Sequence, residues 1–373
     1  MAAAKELIRD LLSGDSRKHP IPSMDGPLSP NNRLETLQHL DADLDAPCDL
    51  CPGDGGSLLV AQDRRIERIS PDGSEQPAVI ARFEARVSAL TRLQDGTLVV
   101  AVNGAGMKHI DTDGRVIAEI EAANGAALRS VTAIAEDPKR GGVYFTVGSV
   151  HHDAEDWIWD LMECNRAGLL GYWSLEAHSA DILATGLAFP SGLVVEDNGS
   201  SLLMTESWTH SIARYHLTGG SRPAARDVVV DNMPGYPGHL ARAADGGYWL
   251  AVFAPRTHLV ELILREKAFK REMMRALEPE LWIRPALSST GSHLEPLQMG
   301  AMKKLGIRKP WAPPRSYGLV MRLDGNAEVV DSLHSRVDGH NHGITAAREI
   351  GDTLYVVSKG NHRILVQSLG RGE

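Results

Sequence analysis

The sequence predicts an all-β protein, a six-bladed β-propeller. Two observations predict this fold: a strand-like phrase recurs along the chain, and a second strand-like run follows most of its copies. The phrase is a turn containing Gly, Asp or Ser, followed by a short apolar or β-branched run. Its copies begin at Gly55, Gly96, Gly141, Ser200, Gly246 and Asp352. Strands that repeat about every 40 to 50 residues are typical of propeller blades.

The interval between the fifth and sixth copies contains residues that do not form a strand pattern. The stretch "THLVELILREKAFKREMMRALEPELWI" has apolar residues at helical spacing with charges between them, which predicts one or two helices inserted in blade five. We assign residues 254–316 to this lid-like insertion. Long insertions in compact folds are often binding loops. Both a lid over the propeller mouth and a packing decoration remain open at this stage.

The two ends of the chain are predicted to share one blade. The last copy, "DTLYVVSKGNHRILVQSL", ends the chain before a full four-stranded blade is complete. The stretch "NRLETLQHL" near the N-terminus is predicted to supply the missing outer strand. We therefore assign residues 32–373 to the propeller and residues 1–31 to an N-terminal arm or helix. The start "MAAAKELIRDLLSG" is typical of a short amphipathic helix, not of a secretion signal.

The composition limits the class of partner. A formal net charge of −9 disfavours binding to nucleic acid or to an anionic membrane surface. The sequence contains no apolar run of about 18 residues that could cross a membrane. Three cysteines are too few for a disulfide framework. A cytoplasmic protein with a small-molecule substrate is expected, and the apolar insertion leaves a homo-oligomer open.

Two long stretches carry a resemblance to known propellers, "FPSGLVVEDNGSSLLMTESWTHSIARYHLTG" and "DNMPGYPGHLARAADGGYWLAV". Together with "GGVYFTVGS" and "GITAAREIGDTLYVVS", they resemble the strictosidine synthase-like branch of the SMP-30, gluconolactonase and paraoxonase superfamily. The resemblance implies six four-stranded blades with a ligand site in the central channel. The superfamily includes calcium-dependent lactonases and aryl esterases, and an alkaloid synthase that condenses an amine with an aldehyde.

The functional positions of these relatives carry other residues in this chain. The resemblance places Cys48, beside Asp49, at the first calcium-ligand position of the lactonases, and Ser191 and His239 at later ones. The glutamate of the alkaloid synthase corresponds to Thr345. Calcium requires six or more oxygen ligands, several of them charged. The cofactor is therefore left unknown: calcium is implied by the family, the ligand set is degraded, and zinc, iron or manganese would suit histidine and carboxylate better.

Two loops that carry histidines are predicted to meet over the channel. His239 follows a Pro-Gly-x-Pro-Gly turn, and "DGHNHGIT" brings His340 and His342 to the start of the last inner strand. A neutral imidazole can take a proton from water near pH 7. A carboxylate such as Asp49 can orient that imidazole. The candidate catalytic residues are therefore His239, His342 and Asp49.

Smaller polar residues and two tryptophans complete the predicted site. The candidate substrate-binding residues are Ser191, His340, Thr345, Cys48, Trp157 and Trp159. Both tryptophans come from "HHDAEDWIWD", where the lactonase-like relatives have a loop on the substrate side. Ser191 lacks the Gly-x-Ser-x-Gly elbow of a nucleophilic serine, so a role in lining the pocket is preferred.

The leading functional hypothesis is a small-molecule hydrolase. It would open a lactone or an ester in the channel by attack of water, with His239 or His342 as the base. Two alternatives stay open. One is a lyase or condensing enzyme that acts on an aromatic or amine substrate, as the alkaloid synthase does. The other is a non-catalytic propeller that binds a ligand.

Overall fold

The computed structural model describes residues 20–196, 199–217, 223–288, 303–304, 307–308 and 315–370. Within these residues, six four-stranded antiparallel sheets surround a central channel. The inner strands of neighbouring sheets contact one another around the whole ring. The predicted six-bladed propeller is therefore confirmed. The helix predicted at the start of the chain lies outside the described residues.

Each blade is a four-stranded meander, and its strands run from the channel outwards. Blade one contains Pro47–Pro52, Leu58–Gln62, Arg65–Ile69 and Ala78–Arg82, and blade two contains Val87–Arg92, Leu98–Val102, Gly106–Ile110 and Val116–Ile120. Blade three contains Val131–Asp137, Gly142–Val147, Gly168–Ser174 and Ser179–Leu187, and blade four contains Pro190–Glu196, Ser201–Glu206, Ser211–Leu217 and Pro223–Val230. Blade five contains Gly235–Arg242, Tyr248–Pro255, Gly318–Leu323 and Val329–Ser335, and blade six contains Ile344–Ile350, Thr353–Ser358, Arg363–Ser368 and Gln38–His39. Two short hairpins lie outside the blades, Ala122–Ala123 with Ala126–Ala127 and Lys303–Lys304 with Ile307–Arg308.

The outer strand of blade six comes from the N-terminal side of the chain. Gln38 pairs with Val366 and His39 pairs with Leu365, so the strand before blade one completes the sheet that ends the protein. This pairing joins the two ends and confirms the predicted closure. It also covers the edge of Arg363–Ser368 over those two residues.

The second strand of a blade is buried on both faces because it lies between two neighbouring sheets. Every residue of Leu98–Val102 and of Gly142–Val147 is buried, which explains why these strands are continuous apolar runs and do not alternate. The outer strand of blade two instead exposes Val116 and Ile117. The recurring phrase in the sequence therefore corresponds to the most deeply buried strand of each blade.

Helices occur where two blades have long connections. The helix Trp157–Glu163 lies between the second and third strands of blade three, and His258–Arg265 and Lys267–Ala276 lie between those of blade five. Thr257 caps the first of the blade-five helices by accepting a hydrogen bond from the Val260 N–H. The helices share one apolar cluster, which includes Trp208 and Trp282. Every helix in the described part of the chain is too short or too polar to cross a lipid bilayer.

Short 3-10 helices occupy several turns and the N-terminal arm. They are Gly26–Leu28, Arg33–Glu35, Asp54–Gly56, Ala154–Asp156, Ser207–Thr209, Pro279–Leu281 and Lys359–Asn361. The described end of the arm and the residues that follow it, 26–35, pack on the outer strand of blade five. There Arg33 forms an ion pair of 2.7 Å with Asp331. Glu35 accepts hydrogen bonds from the Ser335 hydroxyl and from two backbone N–H groups of the following loop. The arm therefore fixes the connection between blades five and six.

Candidate active site

A cavity of about 360 Å³ opens in the central channel, and all six inner strands contribute to it. The residues that line it are Cys48, Asp49, Arg86, Val87, Ser88, Asn103, Thr132, Ala154, Glu155, Trp157, Phe189, Ser191, Gly238, His239, Phe253, Leu287, Thr345 and Lys359. This volume is suitable for a small organic molecule. The cavity brings together most of the residues that the sequence singled out.

A β-bulge near the start of each inner strand brings at least one residue to the cavity. In every blade the pairing register between the inner and second strands shifts at this point. The first bulged residues that line the cavity are Cys48, Ser88, Thr132, Ser191, Gly238 and Thr345, and in blade five His239 lies in the same register gap. A bulge adds a residue that has no direct partner and redirects its side chain. The six first positions, here called the bulge ring, line the cavity.

Hydrogen bonds run around the bulge ring from one blade to the next. The Cys48 thiol donates to the Val87 carbonyl at 3.1 Å, the Ser88 hydroxyl donates to Val131 at 2.7 Å, and Thr132 donates to Pro190 at 2.6 Å. The next link passes through Ser207. Its hydroxyl is hydrogen-bonded to Ser191 and donates to the Pro237 carbonyl at 2.7 Å. Each accepting carbonyl belongs to the residue before the next ring position. These thiol and hydroxyl groups therefore form hydrogen bonds between neighbouring blades.

The ring of hydrogen bonds is interrupted in blades five and six. Gly238 has no side chain, and a Cβ there would lie 3.3 Å from the Phe253 ring. The Thr345 hydroxyl is buried and has no hydrogen-bond partner among the described residues. A buried polar atom without a partner is costly and calls for an explanation. A bound ligand would supply that partner.

Asp49, Arg348 and His239 form a buried cluster beside this interruption. The Arg348 Nε and Nη2 donate to the two carboxylate oxygens of Asp49 at 3.2 and 3.3 Å, and Nη2 also donates to His239 Nε2 at 2.9 Å. Arg348 is in the inner strand of blade six, so its guanidinium connects the two neighbouring blades. Backbone N–H groups of Leu50 and Leu90 also donate to Asp49. Both carboxylate oxygens are thus already occupied.

The cluster fixes the protonation of Asp49 and His239. Burial alone would raise the pKa of Asp49, but the charge and hydrogen bonds of Arg348 outweigh it and hold that pKa below its ordinary value. Burial, followed by the charge of Arg348, lowers the pKa of His239 to about 4 against the opposing effect of Asp49. Because Nε2 of His239 accepts a hydrogen bond, the ring proton of the neutral imidazole is on Nδ1. The 4.0 Å contact between Nε2 and Asp49 is therefore not an ion pair at neutral pH.

The predicted role of His239 as a general base is corrected by this contact. Its Nε2 lone pair faces a guanidinium, and its low pKa makes it a weak proton acceptor. Its Nδ1 has no hydrogen-bond partner among the residues that the structure describes. His239 therefore offers a hydrogen-bond donor and no free base.

Aromatic side chains form the wall of the cavity in blades three to five. Trp157 packs edge-on against Phe253 with ring centroids 5.4 Å apart, and Phe189 stacks on Trp208 at 4.4 Å. The helix Trp157–Glu163 positions Trp157, while Phe253 belongs to the second strand of blade five. An apolar or aromatic part of a ligand would contact this wall.

Charged groups also line the cavity, Glu155 from the turn before Trp157 in blade three and Lys359 from blade six. Glu155 Oε1 accepts a hydrogen bond of 2.6 Å from Arg86, while Glu155 Oε2 has no partner in the described part of the chain. Lys359 lines the cavity from the turn after the second strand of blade six, and no described carboxylate forms an ion pair with it. Among the described residues, the cavity thus contains one carboxylate oxygen and one ammonium group that lack a partner.

Three predicted site residues lie outside this cavity. His342 is buried, with Nδ1 2.9 Å from the Ser316 hydroxyl and Nε2 2.8 Å from the Arg336 carbonyl, so both nitrogens are used in packing. His340 is 79% exposed and lies 3.4 Å from Glu35 on the N-terminal arm. Trp159 packs edge-on against Trp282 and lines a neighbouring cavity. The structure thus places these three residues outside the channel, contrary to the expected positions. The Glu35 contacts hold the loop of His340 and His342 elsewhere, and Trp159 packs in the blade-three helix against Trp282.

The remaining predicted residues line the channel, although not as ordinary calcium ligands. Burial raises the pKa of the Cys48 thiol to about 12, so this thiol stays protonated. Ser191 is hydrogen-bonded to Ser207, and Asp49 is bound by a guanidinium. A hard cation needs several charged oxygens, and within the described residues no three histidine, cysteine or carboxylate side chains are grouped to hold a metal. The residues present do not fit the calcium ion that the superfamily implies.

Several residues that shape the cavity were not identified from the sequence, namely Arg348, Glu155, Lys359, Arg86, Phe189 and Phe253. Arg348 is three residues after Thr345 on the same inner strand, and its long side chain reaches both neighbouring blades. Lys359 and Glu155 are in turns, where the sequence carries no periodic signal. A search for charged residues within the inner strands would have found Arg348.

Part of the chain matches a known family. Residues 133–220 match the family model described as strictosidine synthase. The chain is 29% identical over 123 residues to the adipocyte plasma membrane-associated protein of Danio rerio, covering 33% of this chain and 29% of that protein. It is 24% identical over 292 residues to the protein of the same name in Gallus gallus, covering 71% and 68%. Strictosidine synthase-like 13 of Arabidopsis thaliana is 26% identical over 200 residues, covering 53% and 42%. The alignments to the Danio rerio and Salmo salar proteins span less than a third of those proteins' length.

Solved structures share the fold. A gluconolactonase of Xanthomonas campestris superposes with a TM-score of 0.52 at 11% identity, covering 88% of this chain and 96% of that chain. Regucalcin of Agrobacterium tumefaciens, described as a calcium-binding protein, superposes with a TM-score of 0.51 at 14% identity, covering 88% and 85%. At these identities the structures establish the propeller fold alone. With the family match, they confirm the resemblance predicted from the sequence.

Proposed function

We propose that this propeller, a relative of the strictosidine synthase-like and gluconolactonase proteins, is an enzyme that hydrolyses an ester or lactone of a small molecule. One observation carries the proposal. The residues of a single cavity include an aromatic wall, the carboxylate of Glu155 and two buried polar atoms, Thr345 Oγ1 and His239 Nδ1, that have no partner among the described residues. Convergent polar groups in a largely apolar pocket are typical of active sites.

The substrate is proposed to carry an apolar or aromatic part and a negatively charged group. The apolar part would lie against Trp157, Phe189 and Phe253. The anionic group would pair with Lys359, the cavity cation that has no described ion-pair partner. Arg86 and Arg348 are engaged with carboxylates of the protein itself.

The chemistry proposed for the site uses His239 as a donor and Glu155 as the base. The Nδ1–H of His239 would donate to the carbonyl oxygen and stabilise the charge that develops there. Glu155 would take a proton from water through its open oxygen, and the water oxygen would bond to the carbonyl carbon. The bond to the leaving oxygen then breaks, and that oxygen takes the proton. Arg348 would keep the His239 proton on Nδ1.

Purified protein tests this proposal against a panel of aryl esters and lactones, with and without a carboxylate group and with and without a chelator. We expect turnover of carboxylate-bearing substrates that a chelator does not abolish. Lys359→Met should raise KM about tenfold for these substrates, a loss of about 1.4 kcal/mol, and leave uncharged substrates unchanged. Absence of turnover across the panel would overturn the proposal.

A lyase or condensing enzyme is the second candidate, because residues 133–220 match the strictosidine synthase family. Product masses separate the two reactions. Hydrolysis adds the elements of water to the substrate, whereas a lyase or a condensation does not. A non-catalytic binding propeller would instead bind panel compounds without converting them.

A further inference from the structure

A lysine and a cysteine contact each other outside the channel. Lys270, in the insertion helix Lys267–Ala276, places Nζ 3.0 Å from the sulfur of Cys164, which ends the helix Trp157–Glu163. The lysine also donates to the Leu264 carbonyl at 3.3 Å. Lys270 is only 7% exposed, and no carboxylate among the described residues pairs with it. A thiol and one carbonyl are thus the polar surroundings of a buried amine.

The burial of Lys270 holds its amine beside the sulfur. An unpaired ammonium is costly in a protein interior. Among the described residues, the sulfur of Cys164 and the Leu264 carbonyl are the polar groups within hydrogen-bonding distance of Nζ. Sulfur and nitrogen, both potential nucleophiles, are thus held in contact.

Cys164 differs in this respect from the other two cysteines. Cys48 and Cys51 are buried in blade one, and burial raises the pKa of each thiol to about 12. Cys164 is only partly buried, and it lines a small pocket of about 10 Å³. Thiolate character and access decide which cysteine is oxidised.

We propose that Cys164 and Lys270 form a redox modification site at which hydrogen peroxide produces a covalent sulfur–nitrogen crosslink. The sulfur attacks peroxide, an S–O bond forms, the O–O bond breaks, and the departing hydroxide becomes water. The neutral amine of Lys270 then attacks the sulfenic acid, an S–N bond forms, and the S–O bond breaks with release of a second water. Sulfur is oxidised by two electrons, peroxide is reduced, and the protein loses two hydrogen atoms.

The crosslink would join two elements that are 106 residues apart in the chain. One is the helix that positions Trp157 in the cavity wall, and the other belongs to the blade-five insertion. Oxidation would therefore fasten the insertion to the channel wall. This inference does not depend on the reaction that the channel catalyses.

Peptide mass spectrometry tests the site after treatment of the full-length protein with hydrogen peroxide. We expect a crosslinked peptide containing Cys164 and Lys270, lighter by two hydrogens than the sum of its parts and separated again by a thiol reductant. Titration of free thiols in the denatured protein should fall from three to two. The buried Cys48 and Cys51 serve as internal controls and should keep their thiols.

Two variants complete the test. Lys270→Arg keeps a positive charge but removes the amine, so Cys164 should then be oxidised without a crosslink. Cys164→Ser should lose both the crosslink and the fall in thiol number. Because the crosslinked peptide is measured in the protein without substitutions, the test does not depend on the folding of either variant. Peroxide treatment that leaves Cys164 reduced, or oxidises it without joining it to Lys270, would overturn the proposal.

Discussion

The Arg348 guanidinium lies 2.9 Å from His239 Nε2, and this contact determines what the histidine can do. A lone pair that accepts a hydrogen bond from a cation is a poor acceptor for a second proton. The same guanidinium is bound to Asp49, so a carboxylate, a cation and an imidazole form one unit. A reaction that required His239 as a base would first have to break this unit.

The lowered pKa of His239 predicts a loss of stability in acid. Its pKa falls from 6.5 to about 4 on folding, so the unfolded chain binds a proton that the folded protein does not accept. The contribution of His239 to stability is therefore complete above pH 6.5 and is lost as pH falls towards about 4, by about 3 kcal/mol, and His334, whose pKa burial also lowers to about 4, contributes over the same range. Urea denaturation across this pH range measures the loss. His239→Gln should reduce the pH dependence. An unchanged pH dependence would show that His239 is already protonated in the fold.

Replacement of Arg348 should destabilise the protein through Asp49. Arg348→Met leaves a buried carboxylate without its cation, which costs about 3–5 kcal/mol of unfolding free energy. Asp49→Asn alone should also destabilise. The double variant should lose less than the sum of the two, because each substitution removes the charge that the other leaves unpaired. Additive losses in chemical denaturation would contradict the pairing.

The carboxylate of Glu155 should control the rate of turnover. Glu155→Gln is expected to lower kcat about 10² to 10⁴-fold with little change in KM, because a general base contributes about this much. Asp156→Asn is the matched control, since Asp156 belongs to the same 3-10 helix and does not line the channel cavity. Steady-state kinetics on a substrate found by the panel would compare the two variants. Equal kcat values for both would remove Glu155 from the mechanism.

The two tryptophans of the blade-three helix should respond differently to truncation. Trp157→Ala removes part of the cavity wall and should raise KM about 10- to 100-fold, since burial of a large apolar side chain contributes about 1.5–3 kcal/mol. Trp159 contacts Trp282 at 4.5 Å and does not line the channel. Trp159→Ala should lower the unfolding free energy by about 1–3 kcal/mol and leave KM unchanged. A larger KM effect at Trp159 would place substrate in the neighbouring cavity.

The Thr345 hydroxyl should favour ligand binding and lower the stability of the fold. Thr345→Val removes a buried hydroxyl without a described partner, so the unfolding free energy should rise by about 1 kcal/mol. The same change should weaken substrate binding severalfold. Thr345→Ser keeps the hydroxyl and should retain binding. If the valine variant bound substrate normally, the hydroxyl would have no role in recognition.

The propeller could be predicted from the sequence because its signal is local and repeated. Each blade repeats a turn and a buried strand, and the closing pair of Gln38 with Val366 follows from counting strands. The positions of Asp49, Ser191 and Thr345 at the channel were implied by the resemblance to known propellers. The repeated turn and strand depend on residues close together in the chain.

The residues whose positions or roles the sequence did not predict depend on contacts between distant parts of the chain. His342 and His340 were expected over the channel, but Glu35, about 300 residues earlier, holds their loop against the N-terminal arm. Arg348 was overlooked because its importance comes from Asp49 and His239, which lie in two other blades. A single sequence does not contain the pairing information that would predict such contacts.

The bulge ring joins the chemistry of the channel to the architecture around it. A residue at one of these positions is an extra step in its strand, and in blades one to four its side chain also bonds to the next blade, directly or through Ser207. Thr345 carries no hydrogen bond to a described residue. Evolution or design could therefore exchange Thr345 with less disturbance of the wheel than the bonded positions would cause.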